Sequence, residues 1–186
     1  MSGQEATQEF TGHAGHQAQD RTYNVLFLDS GNSARSVMAE AVLNELGGGR
    51  FRAYSAGSNP TGKVSPFTIE LMRTNGLPTD ALRSKSWDEF GRPDAPEMDF
   101  VITLCDRAAG EACPVWPGHP VTAFWGFEDP ACAQGSDEEK WDKFRHVYEQ
   151  IAARVRLLIN LPLPRLDHLA RESEVRELAT PSHERS

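Results

Sequence analysis

The chain has 186 residues, a formal net charge of −8 and a pI near 5.2. That length supports one α/β domain with a substantial core and unpacked ends, and the acidity argues against a nucleic-acid partner or an anionic membrane surface. No apolar run reaches the length of a membrane span, three cysteines do not make a disulfide scaffold, and the first residues lack a signal-like apolar stretch, so the chain reads as cytoplasmic.

Residues 1–22, rich in Gln, Glu, His, Gly and Thr, read as a disordered tail ahead of a domain over 23–164. A buried strand is predicted over 24–28, then a helix over 34–46 that Gly47-Gly48-Gly49 stops. Residues 51–57 read as a second strand. Ser65-Pro66 is a good N-cap and first-turn pair for a helix through Asn75, with Gly76 just beyond it. Ser86-Trp87-Asp88-Glu89 has capping-box spacing for a short helix, and Trp116-Pro117-Gly118 reads as packing and turn. Strands follow over 99–104 and 121–125. Ser136-Asp137-Glu138-Glu139 opens a long helix whose apolar face is Trp141, Phe144, Tyr148, Ile151, Val155 and Leu158, ended by Pro162 and Pro164. A charged tail over 165–186 carries a loose helix around Leu169 to Leu178. Strands alternating with helices give an α/β three-layer sandwich: a four-stranded parallel sheet flanked by helices. Ligands in such sheets sit beyond the carboxyl ends of the strands, where the loops after Leu28, Leu104 and Trp125 gather.

The first of those loops is Asp29-Ser30-Gly31-Asn32-Ser33-Ala34-Arg35-Ser36. A strand running into a tight loop and a helix N-terminus points several backbone N–H groups at one spot, a nest for a tetrahedral anion. Arg35 adds a planar fork suited to two oxygens of phosphate or arsenate. After the third strand, Cys105 and Cys113 flank a short segment and could pair if it rearranges; equally, Cys105 can be a small buried residue and Cys113 a surface thiol. After the fourth strand comes Asp129-Pro130, which by itself is a turn or helix start.

The first loop resembles the active-site loop of the low-molecular-weight protein tyrosine phosphatases and of the arsenate reductases built on that fold. Their pattern is Cys, five residues, Arg, Ser, directly after the first strand; Asn32, Ser33, Arg35 and Ser36 match, and Asp29 stands where the family has cysteine. The resemblance covers roughly residues 24–161. It implies an oxyanion site made by Ser30, Gly31, Asn32, Ser33, Ala34, Arg35 and Ser36, with Asp129 as general acid to the leaving oxygen. It also implies, for the thioredoxin-coupled reductases, that Cys105 attacks a first-loop adduct and Cys113 relays the disulfide outward. No bound cofactor is implied; reducing equivalents come from thioredoxin or a low-molecular-weight thiol system. Ser55, in Tyr54-Ser55-Ala56-Gly57, sits where the family buttresses the loop through Asn32, although a plain strand end reads equally well. Lys85 occupies a position where some relatives carry an acid beside a monovalent cation; a lysine there reads as a solvated surface charge. Cys132 reads as a loop thiol, and the six histidines show no metal-ligand spacing.

Asp29 changes the chemistry implied. The nest should hold its carboxylate ionised, in competition with the substrate for the same donors. Two unit charges roughly 4 Å apart at an effective dielectric near 20 repel by about 4 kcal/mol, close to a thousandfold in affinity. A carboxylate supplies no electrons to arsenic either. The sequence therefore reads as an arsenate reductase-like protein impaired at its nucleophile, binding arsenate or phosphate and using a thiol reductant. Two other readings are a tyrosine phosphatase and a non-catalytic oxyanion sensor or interaction protein.

Overall fold

The computed structural model describes residues 21–105 and 114–179. Strands β1 (Tyr23–Asp29), β2 (Phe51–Gly57), β3 (Phe100–Thr103) and β4 (Val121–Phe124) form one parallel sheet in the order β2-β1-β3-β4. The helices are α1 (Arg35–Leu46), α2 (Pro66–Thr74), α3 (Asp137–Ile159) and α4 (His168–Glu177), with 3-10 turns at Trp87–Phe90, Pro130–Cys132 and Leu163–Arg165.

The alternation of β1 explains the layering. Val25 and Phe27 point into a large core shared with α1, α2 and α3, while Leu26 and Leu28 point into a smaller one with Trp87, Phe90, Met98 and Val101. A strand buried on both faces needs apolar residues at every position, which is what residues 25–28 provide. On α3, Phe144, Ile151, Val155 and Leu158 are buried as the periodicity requires, Trp141 and Tyr148 lie at the edge, and Val147 and Ala152 complete the face. Its capping box is complete, with Glu139 N donating to Ser136 Oγ and Ser136 N donating to Glu139 Oε2. At the start of α2, Ser65 makes no side-chain cap; Pro66 takes the first turn and Ser65 N donates instead to Ser33 O.

The C-terminal helix α4 is docked against the domain. Val175 is fully buried in the large core and Leu178 nearly so, and Trp125 Nε1 donates to Val175 O at 3.0 Å. Burial of these two side chains, not local propensity, is what holds this highly charged segment helical. Among the described residues, no helix is long and apolar enough to cross a membrane.

Register positions the site. β1 pairs with β3 through Leu28↔Thr103, and Leu104 N donates to Leu28 O at 2.7 Å, so the chain leaves both strands side by side. Trp125 N donates to Thr103 O, bringing the loop after β4 to the same carboxyl end of the sheet.

Candidate active site

Between β1 and α1 the chain turns through Ser30–Ala34 with its carbonyls facing outward. Ser30 O accepts from Asn59 N, Gly31 O from Thr61 N and the Ser84 hydroxyl, and Ser33 O from Ser65 N and the Thr68 hydroxyl. With its acceptors tied to the segment after β2, the loop presents N–H groups inward, joined by the unsatisfied donors at the start of α1. Asn32 holds the curve. It adopts a left-handed φ of 45°, tolerated by asparagine, and is fully buried. Its Nδ2 donates to Ser36 Oγ at 2.9 Å and Ser55 Oγ at 3.0 Å, while Oδ1 accepts from Lys85 N at 2.8 Å. Ser55 thus does lie against Asn32.

Asp29 ends β1 inside this nest, only 2 % exposed. Its Oδ1 accepts from Asn32 N at 2.6 Å and its Oδ2 from Ser36 N at 3.1 Å, with Arg35 Nε 4.0 Å away. The carboxylate occupies donors that an oxyanion would use. Burial pushes the carboxyl above its ordinary range, against the pull of the Ser36 and Asn32 N–H groups and of Arg35. The expectation that the nest simply favours the ionised form is therefore reversed in direction: desolvation outweighs the donors.

Arg35 reaches toward the loop after β4. Nη1 donates to Phe127 O at 3.0 Å and Nη2 to Asp129 Oδ2 at 3.0 Å, leaving Nε as a buried N–H without a hydrogen-bond partner beside Asp29. The guanidinium is thus engaged by the Asp129 loop instead of presenting its whole fork to the nest. Asp129 Oδ1 caps the turn Pro130–Cys132 by accepting from Ala131 N. Cys105, 6 % exposed, places Sγ 3.5 Å from Ser30 Oγ, at the first residue of the loop. Cys113 lies outside the described residues. Cys132 is exposed on the turn after Asp129. Among the described residues, no group of three or more His, Cys, Asp or Glu side chains could hold a metal.

Lys85 is not a surface charge. It is 7 % exposed, with Nζ 3.6 Å from Glu40 Oε2, 3.1 Å from Arg83 O and 3.4 Å from Ser55 Oγ. The Ser55 hydroxyl in turn donates to Glu40. Burial pushes Glu40 up and Lys85 down from their ordinary values, each offset by the charge of the other. The pair stands behind Asn32 and shows that the loop is supported by charge from α1 as well as by hydroxyls. Nothing in the sequence marks Glu40, a residue in mid-helix, as Lys85's partner; only the pairing of residues 85–86 with Gly57 at the end of β2, which packs on α1, brings them together. The Phe127 carbonyl, which binds Arg35, was equally invisible, being backbone.

The family model for low molecular weight phosphotyrosine protein phosphatase matches residues 24–174. The chain belongs to that family. Curated relatives within reach of it are named arsenate reductases. That of Oceanobacillus iheyensis is 38% identical over 133 residues, covering 72% of this chain and 92% of its own. That of Bacillus licheniformis is 39% identical over 133 residues, covering 71% and 91%. A solved structure described as an arsenate reductase in the phosphate binding state shares 31% identity at a TM-score of 0.60, over 74% of this chain and 97% of that one. In this low molecular weight phosphatase domain the Cys105 thiol lies against Ser30 of the loop after β1, and Arg35 at the end of that loop is bonded to Asp129 of the loop after β4, all at the carboxyl ends of the strands. What departs from the resemblance is Asp29.

Proposed function

We propose that this chain is an arsenate reductase-type enzyme whose rate is held down by Asp29. The observation that carries the reading is the Cys105 thiol 3.5 Å from the Ser30 hydroxyl, because a thiol on the loop after β3, additional to the first-loop nucleophile position, serves the disulfide chemistry of arsenic reduction and is not needed for phosphate-ester hydrolysis. The backbone of Ser30 to Ser36 and Arg35 bind arsenate, or phosphate as its unreactive analogue. Asp129 protonates the oxygen that leaves arsenic, a contribution of about two to four orders of magnitude. Cys105 and Cys113 carry the electrons outward to a thioredoxin or low-molecular-weight thiol system. The similarity to curated arsenate reductases over most of their length supports the same reading.

The test compares the chain with Asp29→Cys and Asp29→Ser in NADPH-coupled arsenate reduction with thioredoxin or glutathione. Asp29→Cys gains a thiolate where the nest and Arg35 can stabilise it, so its turnover rises well above that of the unaltered chain. Asp29→Ser clears the charge without supplying a nucleophile; it gains oxyanion affinity without comparable turnover. Equal rates in all three proteins would remove the role given to position 29. Peptide mapping after mild oxidation supplies a second check: the relay requires a Cys105–Cys113 disulfide with Cys132 left reduced.

A further inference from the structure

In a loop with a carboxylate at its centre, the arsenic atom still needs a sulfur. We propose that Cys105 itself makes the first attack on arsenate in this chain, the step that Asp29 is unable to perform. The inference rests on the arsenate reading above and assigns its nucleophile.

Three observations place Cys105 for the task. The parallel register Leu28↔Thr103 carries on past the sheet through the Leu104 N to Leu28 O bond, which sets Cys105 beside Ser30. The Sγ–Oγ contact of 3.5 Å then fixes the sulfur at the mouth of the anion loop. Arg35 Nε is a buried donor without a hydrogen-bond partner, in a residue only 6 % exposed, 4.0 Å from the Asp29 carboxylate inside the same loop. A buried guanidinium N–H without a hydrogen-bond partner is a donor suited to an anion oxygen. An oxyanion that accepts from this N–H sits in the loop whose Ser30 the Cys105 thiol touches.

The chemistry balances with one external thiol. The Cys105 sulfur bonds to arsenic as an As–OH bond breaks, and the thiol's proton passes by way of Asp129 to the departing hydroxide, which leaves as water. A low-molecular-weight thiolate such as glutathione then attacks the Cys105 sulfur. The S–As electron pair stays on arsenic, reducing As(V) to As(III); arsenite departs with the proton of the incoming thiol, and the two sulfurs are oxidised to a disulfide. Asp29 takes no covalent part.

The experiment incubates the full chain with arsenate and glutathione, measures arsenite, and maps disulfides by peptide mass. The chain as it stands should release arsenite slowly but above the protein-free rate. Cys105→Ser should lose that release by at least about a hundredfold while its phosphate affinity, read by calorimetry, stays within about twofold. Cys132→Ser should match the unaltered chain. In a Cys113→Ser background, a glutathione adduct should accumulate on Cys105 with arsenate and not with phosphate. Arsenite release that survives Cys105→Ser overturns the proposal and leaves the reductase reading intact. So does a silent unaltered chain alongside an active Asp29→Cys. Silence in every variant, with no oxyanion bound, removes both.

Discussion

Arg35 Nη2 and Asp129 Oδ2 are joined at 3.0 Å across 94 residues of chain, so the loop after β1 and the loop after β4 are fastened to each other. The ion pair does two things at once. It holds the carboxyl of Asp129 against the Arg35 guanidinium, and it occupies one end of the guanidinium that an oxyanion would claim. Binding must therefore rearrange the pair, and each partner's substitution has a separable consequence.

Asp129→Asn, made in the Asp29→Cys protein so that turnover is measurable, keeps the shape and removes the transferable proton. kcat for arsenate reduction should fall by about a hundred- to ten-thousandfold. Phosphate affinity should hold or rise, because Arg35 is released from an anionic partner. A parallel loss of both would mean that Asp129 only orders the loop.

Phosphate binding to the unaltered chain should take up a proton. Burial already raises the Asp29 carboxyl above 3.8, and a bound anion beside it raises it further, so affinity strengthens as pH falls through the interval above 3.8. The same shift acts on stability: the folded chain keeps this proton where the unfolded chain has lost it, so the Asp29 contribution is greatest below 3.8 and is lost as pH rises through the raised value. In Asp29→Ser the extra proton uptake disappears and affinity at neutral pH rises by up to about a thousandfold. Calorimetry in buffers of different ionisation enthalpy reads both effects.

Lys85→Met strands the Glu40 carboxylate behind the loop. Removing one member of a buried pair destabilises by about 3 kcal/mol, or roughly 6–12 °C in Tm for a domain of this size. Glu40 is already pushed up by burial, so the loss of its cation raises it more; the deficit should be smallest in acid and grow as pH increases above 4.5. Adding Glu40→Leu should recover most of the stability. Thermal melts across pH of the single and double variants decide it, and a single variant as stable as the parent would show that the pair is idle.

Gly57→Ala tests the packing of the loop from beneath. A Cβ on Gly57 would lie 2.5 Å from Ser30 O and 3.0 Å from Asn32 Cβ, and neither is the end of a flexible chain. The loop must shift, costing about 1–3 kcal/mol, and phosphate affinity should drop with it. Unchanged phosphate binding, measured by calorimetry, would show that the loop yields without losing its donors.

The local signals of this chain were readable in order. The apolar run at residues 25–28, the Ser136–Glu139 box and the three loops at the carboxyl ends of the strands each state their role through period or spacing. Arg35, Asn32, Asp129 and Cys105 were nameable through the family resemblance that those loops carry, since period and spacing alone left Asp129 a turn and Cys105 a small buried residue. What escaped was set by tertiary packing. Lys85 reads as solvated until Glu40 arrives from α1, and α4 reads as a loose tail until Val175 and Leu178 are seen in the core. The sign of the Asp29 shift depends on how completely the loop excludes water, which no residue pattern encodes.

Asn32 has consequences for how such a protein can change over time. Its side chain is anchored to α1, to β2 and to the backbone at Lys85, so the curvature of the loop is maintained by partners other than the group at position 29. Shape and reactivity are lodged in different residues. A substitution at position 29 can then alter the group at the centre of the loop while the socket, with its anchors on Asn32 intact, persists as heritable architecture.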